Sequence, residues 1–282
     1  MTQLFKWDWR VTIADQAYTG HDVRFEIEKT LKREPNSCQV SIYNLSEKQR
    51  NAIQALSLPK KKASSALQSG KIPVEVEAGY IGARALWFRG DLRTAQSVRD
   101  GADWITTVEG EDGGRSILAA RINQSFPEGT SVVAVVRACA KAMGLGLGNT
   151  DELTRAARTR AGSTFSHGTV LSGKADQELT QLLLSCGLTW SVQNGNLQIL
   201  KAGAALSTSV LRLAAGTGLL GAPVVNPDGT IEATVQMVAG LFPGGRVQLD
   251  SETIKGVYTI TKLKTVGDSS GTDWGHTLTM KV

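Results

Sequence analysis

Apolar and polar residues alternate in short runs along most of this chain, the pattern of strands with one buried face. Phe5, Trp7, Trp9 and Val11 alternate with polar neighbours at the start; Val23, Phe25 and Ile27 do so in VRFEIEKTL, and Cys38, Val40 and Ile42 in SCQVSIYNL. Each run predicts an antiparallel strand. Ser46-Glu47-Lys48-Gln49 has the spacing of a capping box, and Ile53 with Leu56 gives an apolar side to a helix over 46–56 that stops before Pro59. A solvated loop carrying Lys60-Lys61-Lys62 then leads to three more strand runs, IPVEVEAGY, ALWFRGDLRTAQSV and ADWITTVEGE.

At Gly113-Gly114 the period changes. Val133, Val136, Cys139, Ala140 and Met143 form the apolar face of a helix that Thr130 is expected to cap and Gly144 to end. Residues 151–161 have helical propensity without a clear apolar stripe. Over 176–186 the pattern is firmer: Leu179, Leu182, Leu183 and Cys186 share one stripe, acids occupy the first turn and Gly187 follows as a C-cap. Leu188, Trp190 and Val192 then alternate up to Asn194-Gly195, and Leu197, Ile199 and Leu200 carry the chain back, so a β-hairpin follows. Beyond Leu200 the strand runs return as SVLRL, IEATVQM, GRVQLDS, GVYTITKLKTV and HTLTMKV. The organisation expected is a strand region over 1–113, an α+β module over 114–200 and a second strand region over 201–282.

Composition adds little to that picture and removes some alternatives. Hydrophobic residues at 41%, charged residues at 20% and 30 glycines fit a turn-rich globular chain, and a net charge of +5 is too small for a dedicated nucleic-acid binder. Cys38, Cys139 and Cys186 are far apart and lie in apolar-periodic segments, which indicates free buried thiols and neither a disulfide framework nor a zinc site. No signal-peptide core and no apolar stretch of membrane-spanning length is visible, so folding in the cytoplasm and no membrane insertion are expected.

Three sequence motifs match the letters of a chemistry and fail its context. Gly168 to Lys174 resembles a phosphate loop, but Ala175 stands where a hydroxyl must reach a metal, and a turn leading into a helix N-terminus is the simpler expectation. Gly216-Thr217-Gly218-Leu219-Leu220-Gly221 matches a dinucleotide fingerprint, yet Pro223 and two valines follow where a helix is needed. Gly267-Asp268-Ser269-Ser270-Gly271 has the form of a nucleophile elbow with His276 nearby, but it joins two strands instead of a strand and a helix. His21 and His167 bear no spacing relation to His276. Glu109, Glu111 and Asp112 cluster before Gly113-Gly114 and read as an acidic turn, with paired acid chemistry the alternative. Trp7, Trp9, Trp87, Trp104, Trp190 and Trp274 are expected to pack in cores or interfaces. No catalytic residue, cofactor-binding residue or metal ligand is therefore assigned.

Against that background the order of several soft motifs is informative. TGLLGAPVVNPDGTIEATVQM, LFPGGRVQLDS and GVYTITKLKTVGDSSGTDWGHTLTM resemble the C-terminal part of bacteriophage baseplate hub proteins, relatives of the late control protein D group. Val170 to Leu179, Trp190 to Gln198 and VSIYNLSEKQRNAI are similar to further segments of that family. Gln236 to Gly240 departs from the family's leucine-asparagine-proline approach to the Pro-Gly turn.

The resemblance implies a mainly β protein with two tube-like antiparallel β-barrel regions flanking or interleaved with a helix-containing insert. It implies a non-enzymatic virion protein of the tail baseplate, a homotrimer joining the tail tube protein to the central spike protein. Other baseplate or tape-measure proteins would be neighbours, and DNA would pass through the lumen without specific binding. Two alternatives accompany it: a tail-associated cell-wall hydrolase using Glu109 with Asp112, and a glycan- or receptor-binding tail-tip protein with exposed aromatics around Trp87 or Trp274.

Overall fold

The computed structural model describes residues 6–57, 71–149, 153–154, 164–201, 205–206 and 209–281, and not the side chains of residues 115 and 116. The Lys60-Lys61-Lys62 run and all but two residues of 151–161 lie outside the described set. In chain order the strands and helices begin β1 Trp7–Ile13, β2 Gln16–Tyr18, β3 Val23–Thr30, β4 Ser37–Tyr43, α1 Glu47–Ser57, β5 Pro73–Tyr80, β6 Ala83–Asp100 and β7 Asp103–Glu111. The middle of the chain forms α2 Gly114–Ala119, β8 Arg121–Phe126, α3 Val132–Ala142, β9 Gly146–Leu147, β10 Thr169–Lys174, α4 Ala175–Ser185, β11 Leu188–Gln193 and β12 Asn196–Lys201. The last part forms β13 Val210–Ala214, a 3-10 turn at Ala215–Thr217, β14 Leu219–Val225, β15 Ile231–Gln236, β16 Arg246–Asp250, β17 Lys255–Asp268 and β18 Trp274–Lys281.

The chain divides into two compact units. The first is drawn from Met1–Lys29, Asn36–Asp112 and Ser209–Val282, the second from Thr30–Pro35 and Gly113–Thr208. In the first unit one 13-stranded sheet runs β14-β15-β18-β17-β3-β4-β7-β6-β5-β1-β2, with β16 on β17 and β13 on β16. β13 and β16 are parallel, whereas β16 and β17, β17 and β18, and β3 and β4 are antiparallel.

This order corrects the expectation of two tube-like antiparallel β-barrel regions. Strands from the two ends of the chain share one sheet through β17 and β3. That sheet is open, ending at β14 and β2 with no hydrogen-bonded pairing between them among the described residues. Alternation in sequence shows that a strand buries one face, and it is the same for a barrel wall and an open sheet. Closure depends on which edges pair, and local pattern carries no information on that.

Side chains of the first unit that point inward come from strands distant in the sheet order. Trp274 on β18 stacks on Trp7 of β1 at 5.0 Å between ring centroids, meets Phe25 of β3 edge-on at 5.6 Å, and donates its indole N–H to the Gly79 carbonyl of β5 at 3.2 Å. A side chain at Gly267 would place its Cβ 2.3 Å from the Phe25 ring, so only glycine fits beside that cluster. Trp87 and Phe88 are adjacent in sequence and both buried, because a bulge in β6 leaves Trp87 unpaired between the Val76–Phe88 and Glu77–Leu86 partners. Ser46 caps α1 as its spacing predicts: its amide donates to Gln49 Oε1 at 3.0 Å, and its Oγ accepts from the Gln49 amide at 3.4 Å.

In the second unit α3 and α4 pack against each other and α4 against β11. Val135, Val136, Cys139, Leu179, Leu183 and Trp190 form the centre of its core. Ser131, and not Thr130, caps α3, accepting from the Ala134 amide at 3.2 Å; the Thr130 hydroxyl instead donates to the Pro127 carbonyl. Asn194 and Gly195 both adopt positive φ, 53° and 79°, as the two-residue turn between β11 and β12 requires. The segment from Thr169 to Lys174 is a strand paired with β8, where a turn was expected.

Burial of charge at His276 makes the first unit acid-sensitive. The imidazole is 1% exposed, its Nδ1 lies 2.9 Å from Thr265 Oγ1, and burial holds its pKa at about 3 against an ordinary 6.5. Above pH 6.5 both folded and unfolded chains keep it neutral, so its contribution is complete there. As pH falls from 6.5 towards 3, only the unfolded chain takes the proton, and stability drops by about 1.4 kcal/mol per pH unit. Urea unfolding at pH 7 and pH 5 therefore loses about 2 kcal/mol through this residue, and His276→Gln flattens that dependence. In the second unit Leu183→Asp places an unpaired charge in the core and costs more than about 3 kcal/mol, whereas Lys174→Ala stays within about 0.5 kcal/mol; denaturant titration of both variants checks the contrast.

Candidate functional site on the polar face of the sheet

Alternation along β3 buries Val23, Phe25, Ile27 and Lys29 and turns Arg24, Glu26 and Glu28 to the other face. The same rule sends Ser37, Gln39 and Ser41 of β4, Glu109 and Glu111 of β7, and Lys262 and Lys264 of β17 to that polar face. Two adjoining depressions of about 260 and 420 Å³ lie along it and share Glu26 and Gln39.

Cross-strand ion pairs cover this face. Lys264 reaches Glu26 at 2.8 Å, Lys262 reaches Glu28 at 2.8 Å, Arg24 reaches Asp268 at 2.6 Å, and Arg93 pairs with Glu111. Glu109 accepts from the Thr94 hydroxyl at 2.9 Å. Arg93 occupies a bulge in β6 between the Leu92–Gly110 and Thr94–Glu109 partners, which turns it towards Glu111. Sequence reasoning passed over this ladder, although a signal for it was present: acids at period two in VRFEIEKT and lysines at the same period in TITKLKTV.

The candidate catalytic motifs are taken up by structure. Ser269 accepts from the Val23 amide at 2.8 Å and donates its own amide to the Val23 carbonyl, binding the β17–β18 loop to β3; its bonded partners do not include His276. His276 faces Thr265 and packs against Trp87 with ring centroids 4.2 Å apart. Asp268 accepts from the amides of Ser270 and Gly271. Partial burial raises its pKa, but the bond from Arg24 and those two amides outweigh this and hold it below the usual carboxylate value.

Glu109 and Glu111 sit on the polar face, while Asp112 is fully buried beside Lys29, so the acids are not ranged across one cleft. Burial lowers the Lys29 amine to about 8 against the opposing effect of Asp112. The phosphate-loop letters at Gly168–Lys174 lie largely on β10, and the dinucleotide letters at Gly216–Gly221 fall on the 3-10 turn and β14, with no helix following. Trp87 and Trp274 are 4% and 6% exposed, which removes the exposed aromatics on which glycan or receptor binding would rest. Trp190 is buried and donates to Thr180, and Trp104 lies under the Arg50 guanidinium at 4.1 Å. Cys38 and Cys139 are buried thiols, with burial pushing Cys139 up to about 11, and Cys186 is half-buried. Among the described residues no group of three or more His, Cys, Asp or Glu side chains is arranged to hold a metal ion.

A family model described as baseplate hub gp41 matches residues 10–274. The chain belongs to that baseplate hub family. It is a structural protein of the phage tail baseplate and not an enzyme. No curated protein sequence matches it at the stringency applied. Among solved structures, the 43 kDa tail protein of prophage MuSo2 from Shewanella oneidensis is similar over 98% of both chains, at 13% identity and TM-score 0.63. The tail protein from Neisseria meningitidis MC58 is similar over 99% of this chain and 97% of its own, at 12% identity and the same score of 0.63. The E. coli c3393 protein, a component of the type VI secretion system, is similar over 96% of this chain and 76% of its own, at 11% identity and TM-score 0.53. At these identities the likeness is one of fold.

Because Asp268 ties Arg24 and two loop amides together, Asp268→Ala costs about 1–3 kcal/mol in chemical denaturation. Ser269→Ala, which removes one acceptor, costs about 1 kcal/mol.

Proposed function

We propose that the chain forms a homotrimeric ring joining the tail tube to the central spike, with DNA passing through its lumen without specific binding. The observation that carries this reading is the sheet of the first unit. It holds two strand sets from opposite ends of the sequence, β13 to β18 and β1 to β7, side by side in one chain. Three copies would offer six strand sets to a sixfold tube on one side and a threefold platform to a spike on the other, and closed rotational symmetry is the ordinary route from one chain to a ring. Family membership supports the hub role, and so does the E. coli structure, whose own description notes similarity to the T4 tail proteins gp27 and gp5. Residues 114–200 form the α+β module in this reading, and contact with other baseplate or tape-measure proteins follows from a place at the tube's end. The role calls for no catalytic residue, cofactor or metal, and for no insertion of this chain into a membrane.

Light scattering of the purified protein at micromolar concentration is expected to give a trimer, and class-averaged electron micrographs a threefold ring. A strict monomer that associates with neither tube nor spike protein would overturn the proposal.

A further inference from the structure

The four ion pairs on the polar face are poorly explained as stabilising contacts. Their side chains are 15–66% exposed, and exposed pairs contribute about 0–1 kcal/mol each because solvent screens them and long side chains lose freedom. What they do change is the charge that the face presents. Arg24, Arg93, Lys262 and Lys264 lie on strands β3, β6 and β17 of one sheet, an array of cations suited to a phosphate backbone. Each has a carboxylate on another strand within ion-pair distance, and Glu109 and Asp273 add further negative charge along the same depressions.

We infer that this face is a masked polyanion surface, whose carboxylates neutralise an otherwise adhesive cation array so that nucleic acid passes it without being held. The inference deepens the hub reading and rests on it for its biological meaning. Nucleic-acid affinity comes largely from cations that release counterions when they meet phosphate. A cation already neutralised by a protein carboxylate releases none, and the neighbouring acid repels the incoming phosphate. Removing the acids therefore uncovers binding, which is the reverse of what a binding site does when its side chains are deleted.

The test uses the full chain and a short duplex DNA, with affinity followed by fluorescence anisotropy between about 50 and 200 mM salt. Replacing the four carboxylates as E26Q/E28Q/E111Q/D268N is expected to tighten binding at least tenfold at the low-salt end and to steepen the salt dependence by about 0.9 in log–log slope per cation freed. Since Asp268 also holds a loop, E26Q/E28Q alone, which frees only Lys262 and Lys264, is the second variant; its slope changes by about half as much. A control of equal net charge, D15N/E47Q/E128Q/E252Q, alters exposed acids outside the ladder and leaves binding near that of the parent. No gain in either ladder variant would overturn the inference. So would an equal gain in the control, or a parent chain that already binds the duplex as tightly as the ladder variants. Ring formation is scored separately on the parent chain: a monomer with the expected DNA-binding pattern would sink the hub reading alone, and a ring whose ladder variants gain nothing would sink the masking alone.

Discussion

The lateral union of β17 with β3 is the contact on which the first unit depends. Strand edges left unpaired in a buried setting are costly, and here the edges satisfied against each other come from opposite ends of the chain. Once β17 lies beside β3, Gly267 meets the Phe25 ring, Trp274 reaches Phe25 and Trp7, and Ser269 exchanges hydrogen bonds with Val23. On the opposite face the same union sets Lys262 and Lys264 against Glu28 and Glu26. One backbone pairing thus organises the aromatic core beneath the sheet and the charge pattern above it.

Those two sides obey different energetics. Beneath the sheet, the Trp274 indole N–H meets the Gly79 carbonyl and the Thr265 hydroxyl meets His276 Nδ1, and the cost of leaving these groups unmatched favours this one arrangement. Above it, water screens every pair, so geometry there is loosely enforced and the meaningful quantity is net charge per area. For a structural baseplate protein the two properties serve different ends: a rigid wall, and a surface whose charge is decided independently of its stability.

Several motifs that suggested chemistry show how a fold absorbs reactive residue types. Ser269, the serine of an apparent nucleophile elbow, acts as a hydrogen-bond bridge between a loop and a strand. His276 is held neutral by burial in the first core. Asp112 is enclosed beside Lys29 and so separated from Glu109 and Glu111, with which it is contiguous in sequence. In each case strand alternation or a tight turn divides neighbours in sequence between environments that share no chemistry.

The sequence by itself determined the elements that rest on local periodicity and local hydrogen bonds. The Ser46–Gln49 capping box, the α4 stripe through Leu179 and Leu183, and the Asn194-Gly195 turn all form from residues within a few positions of one another. It also carried, in the order of its motifs, the family to which the chain belongs. Ser131 in place of Thr130 as a cap was a choice between near-equivalent local options, and β10 in place of a turn was decided by the partner edge that β8 offers. Tertiary structure alone decided that the strands of both ends share one open sheet, that Trp87 and Trp274 are covered, and that acids on β3 face lysines on β17. Alternation states which side of a strand is apolar; which edge it joins depends on partners far away in the chain, and no local pattern encodes them.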